Sequence, residues 1–276
     1  MSGTSEKFWL SLRPCPVCGA DPEALRVLYK RRFEAMGYDY VIAECTQCSF
    51  IHQNPAYNQE FYDCLYELFG GLFLHSPIGH KYHPSYAKRY KVIAALLKNF
   101  SAKVKSIQIL DFGCADGSFI KWVKTHQSWA KEAELVGYDI YLHGVPEGTS
   151  FFNSLEKLLA AGKRYNVVVL NYVLEHILDP ATLLSIISKS LLHKNGRVVV
   201  EVPDISFLMP SDFSPFHIQH TNYFTPKTLT ALLNTAGLAL ESLRTIKNFD
   251  TQRDPYTPGI LAVGRKDREY LQTTQA

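Results

Sequence analysis

Through the middle of the chain, short apolar runs alternate with stretches of helical spacing. Ile109-Leu110 leads into Asp-Phe-Gly-Cys-Ala-Asp-Gly, ending at Gly117. This reads as a strand that stops at Asp111, a turn of small residues, and a helix starting near Ser118. A second strand ends in Asp139, about 20 residues further on. Asn166 to Tyr172 is continuously apolar, with Val-Val-Val-Leu at its centre, as expected for a strand buried on both faces of a parallel sheet. Pro180 suits the first turn of a helix with apolar spacing to Leu192. Asn195-Gly196 is predicted to end that helix before another buried strand, Arg197 to Pro203. Pro84 to Phe100 reads as an amphipathic helix leading into the first core strand. The alternation predicts an α/β fold, a doubly wound sheet whose ligands sit at the carboxyl ends of the strands. Asp111, Asp139, Asn171 and the segment after Val202 all fall on that edge.

The turn after Asp111 discriminates between ligands. Gly113, Ala115 and Gly117 let the backbone approach a bound group, and the free N–H groups of the next helix face the same place. A Gly-x-Gly-x-x-Gly template started at Gly113 meets Ala115 and Ser118 where its second and third glycines belong, so the dinucleotide fingerprint fails twice. Asp-x-Gly-x-Ala-x-Gly fits a nucleoside with an uncharged linker, such as S-adenosylmethionine. Asp111 is then placed for a cationic amino group, Asp139 for ribose hydroxyls, and Asn171 near the methionine end. The competing reading is an ordinary tight turn between strand and helix, because a lone glycine motif has little specificity.

At the N-terminal end, Cys15-Pro-Val-Cys18 and Cys45-Thr-Gln-Cys48 form two Cys-x-x-Cys knuckles. Their spacing suits a tetrahedral four-thiolate zinc site, closed and therefore structural. An iron–sulfur cluster also uses four thiolates, and disulfides are the third option. Cys64 and Cys114 are isolated, and Cys114 reads as a small residue packed inside the turn.

Leu110-Asp-Phe-Gly-Cys-Ala-Asp-Gly, Gly137-Tyr-Asp-Ile, Asn171-Tyr-Val-Leu-Glu-His and Gly196-Arg-Val-Val-Val-Glu-Val-Pro resemble the successive motifs of class I S-adenosylmethionine-dependent methyltransferases, over roughly residues 84 to 265. The resemblance implies a seven-stranded Rossmann-like sheet with a final antiparallel hairpin, which Leu240 to Ile246 and Gly259 to Gly264 can supply. The short stretch from Asp139 to Phe151 implies an abbreviated helix there. Paired cysteine knuckles followed by Val41-Ile-Ala-Glu-Cys and Asn54-Pro-Ala-Tyr-Asn-Gln-Glu-Phe-Tyr resemble bacterial sugar and surface-polysaccharide methyltransferases. Sugar C-methyltransferases of that group carry a further C-terminal domain, expected to be absent from a chain ending at Ala276.

In that group a His-Glu-His-x-x-Tyr-Phe segment bears catalytic groups, and its counterpart here is His217-Ile-Gln-His220-Thr-Asn-Tyr223-Phe. Gln219 stands where the group has glutamate, and an amide cannot serve as a general base near neutral pH. C-methylation, which must remove a proton from carbon, is thereby disfavoured. O-methylation needs one base, and a histidine with a pKa near 6.5 suits it. The expected base is His220, assisted by Tyr223 or Glu175, with His176 beside it at the same sheet edge. A loop histidine can equally be only a hydrogen-bonding residue.

The 276 residues are 46% hydrophobic with a net charge of +3. One main domain plus a small module is expected: a zinc ribbon over 1–60 and a methyltransferase domain over 61–276, whose first part, 61–100, is a helical lead-in. Residues 1 to 60 hold six Lys/Arg against seven Asp/Glu, a net of −1, so the module is no basic platform for nucleic acid. Lys30-Arg31-Arg32 reads as a solvated face. No apolar stretch is long enough to span a bilayer, and no charged-then-apolar leader precedes Cys15, so the expected location is cytoplasmic. Tyr, Phe and His recur from Tyr57 to His83 and suit either packing between module and domain or sugar binding. The expected partner is a small molecule, a sugar or nucleotide sugar. The alternatives are an RNA methyltransferase, which should show a basic stripe, a non-catalytic module of the same fold, and a nicotinamide-dependent sugar enzyme. The oligomeric state is not legible.

Overall fold

The computed structural model describes residues 10–33, 38–74, 84–140, 148–207, 219–246 and 258–266. The N-terminal part contains strands β1 (Leu10–Ser11), β2 (Leu25–Phe33), β3 (Tyr38–Cys45), β4 (Ile51–Gln53) and β5 (Ala56–Tyr57), then helices α1 (Gln59–Leu74) and α2 (Pro84–Ser101). There follow β6 (Gln108–Phe112), α3 (Ser118–His126), β7 (Glu134–Tyr138), β8 (Ser150–Phe152), α4 (Leu155–Ala160), β9 (Tyr165–Asn171) and α5 (Pro180–Ile186). The chain continues with β10 (Leu192–Pro203), β11 (Asn222–Tyr223), α6 (Pro226–Thr235), β12 (Leu238–Ile246) and β13 (Gly259–Lys266).

Seven strands form one sheet in the order β12-β13-β10-β9-β6-β7-β8. β13 runs antiparallel to both β10 and β12, and the other neighbours are parallel. The expected final hairpin is therefore present. The apolar runs are buried on both sides because alternate residues meet different helices. Val167 and Val169 pack with Ile93 and Leu97 of α2 and Phe119 and Val123 of α3. Val168 and Leu170 pack with Leu158 of α4, Leu184 of α5 and Leu232 of α6.

One boundary differs from expectation. α5 ends at Ile186, a π-helical turn covers Ile187–Leu191, and β10 begins at Leu192. Asn195-Gly196 therefore lies inside a strand instead of after a helix. Pairing of β10 with β9 slips between Leu192 and Arg197, and the Asn-Gly pair absorbs the bulge. A Cβ on Gly196 would sit 3.0 Å from the His193 carbonyl oxygen, a tight fit that glycine avoids.

The N-terminal strands build a second sheet in the order β11-β4-β3-β2. Its β11 comes from more than 150 residues downstream, pairing Asn222 with His52 and Tyr223 with Ile51. Cys15, Val17, Ala20, Cys45 and Phe50 join the same apolar cluster as Leu229 and Leu233 of α6. Tyr57 ends β5 and Phe61 and Tyr62 fall in the first turn of α1, where Phe61 stacks on Tyr57 and meets Tyr62 edge-on. Tyr82 and the histidines at 75, 80 and 83 lie outside the described residues, as does most of the stretch between Asp139 and Phe151. No described helix is long and apolar enough to cross a membrane.

Candidate active site and metal centre

Strand β6 ends in a turn whose backbone is left-handed at three points, Gly113 (φ 80°), Ala115 (φ 48°) and Gly117 (φ 72°). Glycine enters that region freely, whereas Ala115 pays a steric cost. Compensation comes from Asp139, whose Oδ2 accepts a 2.7 Å hydrogen bond from the Ala115 amide. The amides of Gly113 and Cys114 both donate to the Tyr138 carbonyl, at 2.7 and 3.0 Å. The ends of β6 and β7 are thus laced together, as two parallel neighbours in register allow. A Cβ on Gly137 would meet the Phe151 ring at 2.3 Å, so that strand end also needs glycine.

Asp111 is 3% exposed, and its Oδ2 has no hydrogen-bond partner among the described residues. Burial, reinforced by Asp139 and Asp116, pushes its carboxyl up to about 8. A bound cation would relieve both the orphaned oxygen and the shift. Asn171, at the end of β9, likewise has a buried Oδ1 without a partner.

A cleft opens beside this turn, lined by Gly113, Tyr138 and Asp139 on one side and by Tyr172, Val173 and His176 on another. Gln59, Tyr62 and Asp63 of α1 and Gln219 complete it. After β9 the chain passes through Tyr172 with φ 57° and into a 3-10 turn, Leu174–His176. The following helix α5 is capped by Asp179, whose Oδ1 accepts from the Thr182 amide at 2.9 Å.

The structure brings Glu175, His176 and His220 together, with one ligand atom from each lying within 4.8 Å of the others. His176 lines the cleft and its Nδ1–H donates to the Gln219 carbonyl at 3.0 Å. The ring of His220, 3% exposed, stands edge-on to it with centroids 4.8 Å apart. Glu175 is 1% exposed and both its carboxylate oxygens are buried, with no hydrogen bond from another of the described residues. Burial, with Glu201 adding its charge, pushes its carboxyl up to about 8. Tyr223 faces the small sheet, its hydroxyl paired with that of Tyr40 and its ring 6.1 Å from His220. His217 lies outside the described residues.

Two loops far apart in sequence are held as one unit here. The Thr221 amide donates to the Glu175 carbonyl at 2.7 Å, and Asn222 Nδ2 donates to the Leu174 carbonyl at 3.1 Å. Arg13 reaches in from the N-terminal segment, donating to the carbonyls of Gln53, Leu178 and Thr221. Burial lowers its guanidinium to about 10.

The four thiolates expected to bind metal also converge. Cys15 and Cys48 Sγ are 3.5 Å apart, Cys18 and Cys45 Sγ are 3.6 Å apart, and all four lie within 4.8 Å of one another. A tetrahedron with Zn–S bonds of about 2.3 Å places its sulfurs about 3.8 Å apart, so the set fits zinc, and none of the four sulfurs is bonded in a disulfide. Each knuckle has a left-handed residue, Gly19 (φ 71°) and Ser49 (φ 64°), just after its second cysteine.

Sequence reasoning missed the ion pair behind the cleft. Arg89 of α2 lies 3.7 Å from Glu201 of β10, both nearly fully buried, and its guanidinium stacks 4.5 Å over the Tyr172 ring. The available signal was Glu201 itself, a lone carboxylate in the apolar run Arg197 to Pro203. The contributions of Gln59 and Asp63 carried no signal.

A family profile described as a methyltransferase domain matches residues 85–243, more than half of the chain. No curated protein matches. Among solved structures, the chain is similar to 1,6-didemethyltoxoflavin-N1-methyltransferase from Burkholderia thailandensis, determined with 1,6-didemethyltoxoflavin and S-adenosylhomocysteine. That likeness has a TM-score of 0.58 at 16% identity and covers 87% of this chain and 100% of the other. It is also similar to the N-methyltransferase NodS from Bradyrhizobium japonicum WM9, determined with S-adenosylhomocysteine, with a TM-score of 0.51 at 14% identity. There the match covers 74% of this chain and 97% of the other. By the family match and the seven-stranded sheet that carries it, the chain belongs to the methyltransferase-domain family and is an S-adenosylmethionine-dependent methyltransferase of class I architecture.

Proposed function

We propose that this enzyme methylates a hydroxyl of a sugar or nucleotide-linked sugar, and that residues 1–60 act as a structural zinc ribbon. The observation that carries the choice of acceptor atom is the Glu175, His176 and His220 cluster, of which His176 stands in the wall of the cleft. An oxygen acceptor must lose a proton, and ring nitrogens beside the cleft can accept it. Gln219 contributes its carbonyl to His176, and its amide side chain supplies no base for removing a proton from carbon. Polar tips on apolar walls, from Gln59, Tyr62, Asp63 and Tyr172, suit a hydroxyl-rich ligand.

S-adenosylmethionine, when bound, supplies an already activated sulfonium methyl. Asp111 would hold its cationic amino group, Asp139 and the turn from Gly113 to Gly117 its ribose, and Asn171 the methionine end. The protein's own task is then to align the acceptor, exclude water and accept or displace its proton. Tyr223 serves as a positioning residue, fixing β11 and with it the His220 loop through Tyr40.

Screening nucleotide sugars and free sugars for transfer of a labelled methyl group tests this reading. Transfer to an oxygen that His176→Ala and His220→Ala abolish, while both still bind S-adenosylmethionine, supports it. Labelling of RNA or of a carbon centre instead would overturn it.

A further inference from the structure

We propose that Glu175, His176 and His220 form a second metal site, for a divalent cation that chelates two adjacent oxygens of the acceptor. The metal half stands on the side chains alone, and the acceptor half rests on the sugar-hydroxyl reading above.

Three observations converge. One ligand atom from each residue lies within 4.8 Å of the other two, close enough for small side-chain movements to bring all three to one ion. Glu175 is 1% exposed with both carboxylate oxygens buried and, among the described residues, accepting no hydrogen bond from another residue. A buried carboxylate in that state needs a cation or a proton donor, and it is not hydrogen-bonded to either imidazole, so a proton relay between them is not what is built. Arg89 is already paired with Glu201, at 3.7 Å. Finally, His176 gives its Nδ1 proton to the Gln219 carbonyl, which leaves the lone pair of the neutral ring on Nε2. A backbone carbonyl fixing the tautomer in this way is the usual outer-shell partner of a metal-binding histidine.

Two imidazoles and one carboxylate leave positions open on a six-coordinate ion and favour borderline divalent metals such as Fe2+ or Co2+ over Mg2+ and Ca2+, with Mn2+ a paramagnetic stand-in that the same donors accept. His176 lines the cleft, so open positions on its side face the bound acceptor. Two neighbouring hydroxyls can occupy them, which names the substrate class as a vicinal diol. Coordination lowers the pKa of the reacting hydroxyl. Its proton passes to solvent water, the oxygen pair forms the new bond to the methyl carbon, and the carbon–sulfur pair stays on sulfur as the neutral thioether. The Thr221-to-Glu175 and Asn222-to-Leu174 hydrogen bonds hold the loops carrying the ligands in place before any ion arrives.

The test is Mn2+ binding to the zinc-loaded full chain, followed by paramagnetic resonance and calorimetry. The expected result is one Mn2+ per chain in addition to the thiolate-bound zinc, with affinity reduced at least ~10-fold in Glu175→Gln and His220→Ala. Pulsed spectra of the wild type should show imidazole nitrogen couplings, a readout that does not depend on the variants folding. No Mn2+ beyond the thiolate site, or couplings from water protons alone, would overturn the inference. S-adenosylmethionine binding is titrated in the same samples. Cofactor bound without Mn2+ overturns the metal site and leaves the methyltransferase intact, whereas Mn2+ bound without cofactor supports the metal site and removes the acceptor half.

Discussion

Ala115 donates its backbone amide to Oδ2 of Asp139 at 2.7 Å, tying the turn after β6 to the end of β7. The bond holds a non-glycine residue at φ 48°, where sterics alone would not keep it. Asp139 therefore shapes the turn after β6 as well as lining the cleft. Asp139→Ala should lower stability by about 1.5–3 kcal/mol, as for other hydrogen bonds to charged groups, and weaken S-adenosylmethionine binding at least ~10-fold. Asp139→Asn, which retains an acceptor oxygen, should recover most of the melting temperature. Thermal melts and calorimetric titrations of both variants check this.

The Asp111 carboxyl predicts a pH dependence of the cofactor-free enzyme. Its folded pKa, about 8, lies above the unfolded value of 3.8, so the native state holds the extra proton between them. Stability from this group is therefore fully present below about pH 4 and declines as pH rises towards 8. Asp111→Asn should melt higher than wild type at pH 8 and nearly level with it at pH 4, while binding the cofactor more weakly. A gap in melting temperature that is constant across pH 4 to 8 would exclude Asp111 as the source.

Tyr40 and Tyr223 share a hydrogen bond between hydroxyls in the interior, and burial raises the Tyr40 phenol far above its ordinary value. Removing one hydroxyl takes this hydrogen bond from the other, at a cost of about 1–3 kcal/mol. Tyr40→Phe combined with Tyr223→Phe should cost less than the sum of the singles in a denaturant-based cycle. As a positioning residue, Tyr223 should lose only a few-fold in kcat on replacement by Phe. A loss beyond about 10³ would put its hydroxyl in the chemistry.

Zinc should be bound at one ion per chain through Cys15, Cys18, Cys45 and Cys48, measured by elemental analysis. Because β11 is a strand of the sheet that grows from these knuckles, losing the ion should disturb the His220 loop as well as the fold. Cys18→Ser should lower the melting temperature by at least ~5 °C and reduce kcat more than cofactor affinity. A strong visible charge-transfer band from the purified chain would indicate an iron–sulfur cluster instead.

The parts of this molecule legible in sequence were those set by local pattern. Val167 to Leu170 had to be a two-sided strand because each residue is apolar, and Gly113, Ala115 and Gly117 marked a tight turn of small residues where backbone can approach a ligand. The cysteine spacing likewise identified its own cluster. What stayed hidden depends on tertiary meeting. Asn195-Gly196 carries the signature of a helix stop, yet the bulge in β10 uses the same backbone freedom. Nothing near Asn222 announces a partner at His52, and the pairing of Arg89 with Glu201 joins a helix to a strand more than 100 residues away. His176 and His220 were both visible as candidates. Only the fold shows that His176 reaches the cleft wall while His220 stands behind it.

The most direct test of the account is calorimetric titration of S-adenosylmethionine into the zinc-loaded full chain, alongside Asp111→Asn. One site per chain is expected, with affinity in the variant reduced at least ~10-fold, as the proposed pairing of the Asp111 carboxylate with the cofactor's amino group requires. Folded protein that binds no cofactor, or a variant that binds it as tightly as wild type, would contradict it.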